Sequence, residues 1–203
     1  MQIHSLSVRS PIKKAVSFLA VFSLTLLTLS AGEAHASSDA LSDSDQKSLD
    51  IAFSLLGNSL EAESELKWLI IFKKLTFQGP NKQVEVVMKK IQGAADVRSK
   101  ELDALSKLAP SVTGPPPPSP MGDAIEAAAQ EAGTEDLLFS SGVFNIRFLF
   151  LQAQATRMIS VVAQQAAVVD PNEKRSQWLS DLSDQFEGYR DDLVEIAKSC
   201  AVK

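Results

Sequence analysis

The stretch VVDPNEKRSQW, Val168 to Trp178, decides how this chain folds. Asp170 reads as a helix N-cap, Pro171 as the first helical residue and Glu173 as N3. That is a capping box with proline where its missing N–H costs nothing. One helix therefore stops and the next begins within a residue or two, and so short a connection leaves the pair antiparallel. Downstream, Leu182, Phe186, Tyr189, Leu193, Ile196 and Cys200 hold one apolar stripe to the end of the chain. Upstream, residues 137–169 carry only two charges, Arg147 and Arg157. Phe144, Phe148, Leu151, Ala155, Met158 and Val162 mark an inner stripe there, but most other faces are apolar too. A helix apolar nearly all round is expected to be the buried one.

A second hairpin precedes this one. Ser42 followed by Asp45 forms a candidate capping box, and Leu49, Ala52, Phe53, Leu56 and Leu60 then share a face. EAESE interrupts the stripe, and WLIIF, Trp68 to Phe72, is apolar on every face. Its charged flanks favour one continuous helix with a shifted or curved stripe, ended by Gly79-Pro80. The next helix runs from about Asn81 to about Leu108. Its stripe comprises Val84, Val87, Met88, Ile91, Ala94, Ala95, Leu102 and Leu105, with Arg98 in an apolar position.

Residues 109–120, APSVTGPPPPSP, join the hairpins. Four consecutive prolines exclude helix and favour an extended spacer, for which a ligand of a proline-binding module is the alternative. MGDAIEAAAQEAG predicts a short helix ended by Gly133, and Thr134 caps the helix that follows. The expected fold is all-α: a four-helix bundle of two antiparallel hairpins joined by a proline-rich spacer and a short helix. A spacer of about ten residues at about 3.1 Å each reaches roughly 30 Å. It is long enough to run beside the bundle, which favours one ferritin-like crossover over an up-down-up-down path.

The amino-terminal 36 residues read as a cleaved signal peptide. Arg9, Lys13 and Lys14 precede an uncharged, mostly apolar run, and Ala34-His35-Ala36 supplies the small residues of a cleavage site. The run is slightly short for a transmembrane anchor of about 20 residues, so the membrane is met only through this leader. The expected location is periplasmic or secreted. Residues 37–42 read as a disordered start and 43–203 as a single domain. Removing 36 of 203 residues leaves 167, enough for one core. Arg9, Lys13, Lys14 and Glu33 take a net +2 with them, so the formal charge falls from −5 to −7. An acidic, well-mixed surface argues against nucleic acid as a partner.

The chain resembles exported bacterial proteins with a ferritin-like four-helix domain of unassigned function. These tend to carry a valine-led helix ending in E-L-x-A-L and a later L-Q-A-Q segment. Here Val84 leads to ELDAL, Glu101 to Leu105, and LQAQ is Leu151 to Gln154. The resemblance implies a ferritin-like bundle. It also implies histidines on those two helices, but the matching positions are Ala95 and Met158, so no metal role carries over.

Both histidines, His4 and His35, lie in the leader. The processed chain then has no imidazole for a Glu-x-x-His di-metal site, a Ser-His-Asp or Cys-His nucleophile, a haem or a His-based zinc site. DSDQKSLD begins like an EF-hand loop but lacks its glycine and closing Glu. No cofactor is expected. Glu61, Glu63 and Glu65, Asp181 and Asp184, and Asp191-Asp192 read as solvated helix faces. Cys200, the single cysteine, is either a free reactive thiol or a small hydrophobe completing its stripe. Arg98, Arg147 and Arg157 are candidates for a polar niche inside the bundle, against the alternative of buried stems with wet heads. The leading functional reading is an exported, non-catalytic helical bundle that binds an unknown protein, an envelope component or a small apolar ligand. A membrane-active, pore-forming protein and an immunity-type inhibitor of a secreted toxin are the alternatives.

Overall fold

A computed structural model describes residues 41–67, 71, 80–112 and 144–201. Among these residues there are four helices and no strand: α1 (Asp43–Ser64), α2 (Lys82–Ser106), α3 (Phe144–Val169) and α4 (Glu173–Ala201). At about 1.5 Å per residue they run from about 33 to about 44 Å. The expected signal peptide, the extended part of the spacer, the short helix after it and most of WLIIF lie outside the described residues.

Local chemistry sets the helix starts. Ser42 caps α1 by accepting from the Asp45 amide at 3.1 Å, and its hydroxyl donates to the Asp45 carboxylate at 2.7 Å. Asn81 caps α2 by accepting from the Val84 amide at 2.9 Å, with Pro80 just outside the helix. The cap of α4 differs from the sequence reading. Asn172, not Asp170, accepts from the Arg175 amide at 3.0 Å, and the helix begins at Glu173. Asp170 accepts from the Asn172 amide instead, at 2.9 Å. Its carboxylate is shared between that amide and the Arg175 guanidinium, while Asn172 supplies the cap.

The first segment is also not one unbroken helix. Glu65 ends α1, its amide donating to Ala62 O at 3.1 Å in a tightened last turn. The Ser64 hydroxyl takes Glu61 O at 2.6 Å, one of the local side-chain bonds that compete with helix continuation. Leu66, Lys67 and Ile71 are again helical.

Each helix packs on two others: α1 on α2 and α3, and α4 on α2 and α3. The core draws on all four, including Leu49, Leu56 and Leu60 of α1 and Val84, Met88 and Ile91 of α2. Phe148, Ile159 and Ala163 of α3 and Leu179, Leu182 and Phe186 of α4 complete it. Hydrogen bonds fix which ends meet. Gln46 near the start of α1 donates to Ser111 O beyond α2. Asn172 donates from its side chain to Ala109 O at 2.8 Å. At the opposite end the Asn81 amide donates to Asn145 Oδ1 at 3.2 Å, so α2 and α3 start side by side.

The buried face of α3 is rotated from the predicted one by about one residue, roughly 100°. Gln152, Thr156 and Ser160, with Phe148, Leu149, Ala155, Ile159, Ala163 and Ala166, are buried, while Leu151, Met158 and Val162 are half-buried. Small and polar side chains let α4 approach closely: Ser160 and Ser183 hydroxyls meet at 3.1 Å, and the Ser176 hydroxyl donates to Ala167 O at 2.7 Å. Ile146, Phe150, Val161 and Val168 are left exposed, so this helix is not buried all round.

Candidate functional site

The first half of α2 and the C-terminal third of α4 line an open groove. Val86, Val87 and Ile196 form its apolar floor, and Lys82, Gln83, Lys90, Asp192 and Glu195 form its rim. Its volume is about 470 Å³. Val86 is 50 % exposed, a large apolar surface for a helix residue beside a buried valine. The Lys90 ammonium reaches the Asp192 carboxylate at 3.3 Å, tying the two helices across the groove. Both partners are about half exposed, so this pair contributes little to stability. It does place opposite charges beside an apolar strip, which suits an amphipathic ligand. Cys200 lies one turn beyond Ile196 on the same face of α4. It is a free, half-buried thiol packed against the core.

The three watched arginines fall in different settings. Arg98 is half-buried between α2 and α4. It donates to Gln185 Oε1 at 2.8 Å and to Glu101 Oε2 at 3.0 Å, and its guanidinium lies 5.6 Å from the Trp178 ring centre. Trp178 Nε1 donates to the same Glu101 oxygen at 2.7 Å. That bond, helped by Arg98, holds the Glu101 carboxyl below its ordinary range. Arg147 and Arg157 are exposed on α3, ten residues apart. Arg157 instead lines a smaller groove of about 280 Å³ with Asp184 and Glu187 of α4. The structure therefore does not assemble Arg98, Arg147 and Arg157 into one interior niche.

The interior polar groups are others. Glu63 is buried, whereas its neighbour Glu61 is exposed and Glu65 is half-buried. Counting from Leu56 and Leu60, Glu63 continues the apolar stripe of α1, and this spacing was the signal for its burial. The Gln152 amide, fully buried on α3, donates to Glu63 Oε2, while Gln152 Oε1 has no partner. Burial pushes the Glu63 carboxyl up to about 8, against a smaller lowering by the Gln152 hydrogen bond. At neutral pH Glu63 is thus an acid with a proton to donate, and the orphaned Gln152 oxygen is an acceptor without a donor. A neutral acid–amide pair fits both.

A second buried pair closes the far end. Arg175 Nε and Nη2 fork onto both Asp170 oxygens at 2.5 and 2.8 Å, and Nη1 donates to Leu108 O at 3.2 Å and Pro110 O at 2.7 Å. Its guanidinium sits 5.5 Å from the Phe53 ring centre. Residues five apart around a turn share no helix face, so no spacing rule pointed to this pair. Among the described residues Asp181, Asp184, Asp191 and Asp192 are exposed, as the solvated-face reading expects.

Both stretches that carry the family resemblance supply polar contacts between helices: Glu101, partly exposed, through Trp178, and Gln152, in the interior, through Glu63. Ala95, at a position where the resemblance implies histidine, is a fully buried core residue, and Met158 packs against the core half-buried. Among the described residues no three His, Cys, Asp or Glu gather as a metal-holding group. No described helix is long and apolar enough to cross a membrane. Comparison with protein-family models, with curated proteins and with solved structures gives no match.

Proposed function

We propose that this protein is an exported, non-catalytic helical bundle that binds an amphipathic partner, a peptide segment of an envelope protein or a small apolar ligand, in the groove between α2 and α4. The observation that carries this reading is the apolar floor of Val86, Val87 and Ile196 held open between two charged rims, in a volume of about 470 Å³. That size falls in the range of ligand sites of roughly 300–1,000 Å³. Export is supported by the leader sequence with its Ala34-His35-Ala36 site. A ferritin-like crossover is the topology that fits the helix ends. The starts of α2 and α3 lying together at Asn81 and Asn145 support this reading.

The test is capture from envelope extract by the wild-type chain and by Val86→Glu, with Ile51→Glu, exposed on α1, as a control on another face. A species held by wild type and by Ile51→Glu but lost from Val86→Glu supports the groove. Identical retention by wild type and Val86→Glu refutes it. Leakage of lipid vesicles by the purified chain would favour a membrane-active role instead.

A further inference from the structure

The outward face of α3 is self-complementary. Phe150, Gln154, Arg157, Val161, Gln164 and Val168 share one side of this helix, opposite Gln152, Ile159 and Ala163 of its buried face. Phe150 is 63 %, Val161 44 % and Val168 78 % exposed. The order of these residues is symmetric about position 159. Reversing the helix brings Phe150 opposite Val168, Gln154 opposite Gln164, and Arg157 opposite Val161. We infer that this face is a two-fold, antiparallel interface between two copies of this chain.

Charge supports the same pairing. The Ser160–Ser183 and Ala167–Ser176 hydrogen bonds fix the register of α4 beside α3 and place Asp184 level with position 159. Arg157, Asp184 and Glu187 line one groove and face the same way as the apolar stripe. Two-fold rotation about an axis across α3 keeps both copies of α4 on the same side. The two Asp184 carboxylates then face each other across the axis with both Arg157 guanidinia beside them, while Glu187 is held by Arg190 of its own chain at 2.6 Å. No carboxylate lies on α3 itself to oppose this. Burying a guanidinium beside two acids also answers why a cation sits within an apolar stripe.

The size is sufficient. A strip about 39 Å long and two helices wide, at about 10 Å each, covers roughly 800 Å² per protomer, the area of a standard specific interface. An isologous contact of this kind closes on itself, so the assembly stops at two. The dimer face is separate from the groove of α2 and α4 and leaves that groove open.

Sedimentation equilibrium of the chain expressed from its full-length sequence tests this. Wild type should sediment as a dimer at micromolar concentration and Val168→Glu as a monomer with unchanged helix content. Arg157→Glu should weaken association about tenfold or more, and adding Asp184→Arg should restore it. If Val168→Glu does not fold, Gln154→Cys with Gln164→Cys in a Cys200→Ser background replaces it. Oxidation should then link two chains through the introduced thiols. A wild-type monomer throughout, a dimer indifferent to Val168→Glu, no recovery in the Arg157/Asp184 pair, or no interchain link would each overturn the interface.

Discussion

Replacing Glu63 by glutamine should make this bundle more stable in neutral and alkaline solution, and the size of the effect follows from its burial. The carboxyl titrates near 4.5 in an unfolded chain and near 8 in the fold, because burial disfavours its charge. The folded state therefore holds the proton that the unfolded state releases. The stabilising contribution is complete below pH 4.5 and is lost as pH rises towards 8. At about 1.4 kcal/mol per pH unit, the interval from about pH 5 to about pH 8 costs roughly 4 kcal/mol. That is a large share of the 5–15 kcal/mol typical of a domain. Glu63→Gln keeps the shape, supplies a permanent N–H for the orphaned Gln152 Oε1, and cannot ionise. Urea unfolding followed by circular dichroism at a series of pH values measures the difference between the two proteins. Groups common to both cancel, so the variant should gain on wild type by several kcal/mol across this interval. Parallel stability curves for the two proteins would refute the assignment of a buried, proton-holding Glu63.

Gln152→Leu should raise the Glu63 midpoint further, since the Gln152 hydrogen bond is the one influence lowering it; a carboxyl titration followed by NMR reads this directly. Arg175→Met leaves Asp170 charged, buried and without its fork, and should cost about 3–5 kcal/mol in chemical denaturation. Asn172→Ala should cost about 1 kcal/mol as a lost cap; no change would return the capping role to Asp170. Trp178→Phe removes the bond that most lowers the Glu101 carboxyl, so its NMR midpoint should move up towards the ordinary value.

Four helices and their order were legible because periodicity and caps are local. Ser42 caps where its pairing with Asp45 predicts, α2 begins beside Asn81 as expected, and the stripes of α2 and α4 are buried much as spacing predicts. What escaped was set by tertiary contact. In α3, leucine, methionine and valine at helical spacing pointed to one face. The fold buried the neighbouring face of Gln152, Thr156 and Ser160, where small side chains let α4 come close. Asp170 looked like a cap until Arg175, invisible to any spacing rule, took its carboxylate. Glu63 was readable and was misread: its chemistry argued for water while its position in the stripe argued for the interior. The candidate groove needed two helices at once, and neither half is a motif by itself.

Among the described residues the two ends of the bundle are fastened differently, and the less buried ties should open first. At the Arg175 end a single guanidinium, its own side chain fully buried with that of Asp170, staples the carbonyls of Leu108 and Pro110 to the turn between α3 and α4. At the other end, among the described residues, the ties are solvent-facing: the Asn81 amide to Asn145, and the exposed Lys90–Asp192 pair. Amide protons around Asn172 to Leu182 should therefore exchange only when the whole chain lets go. Those in the first turns of α2 and α3 should exchange through partial fraying, like a book that is bound along one edge.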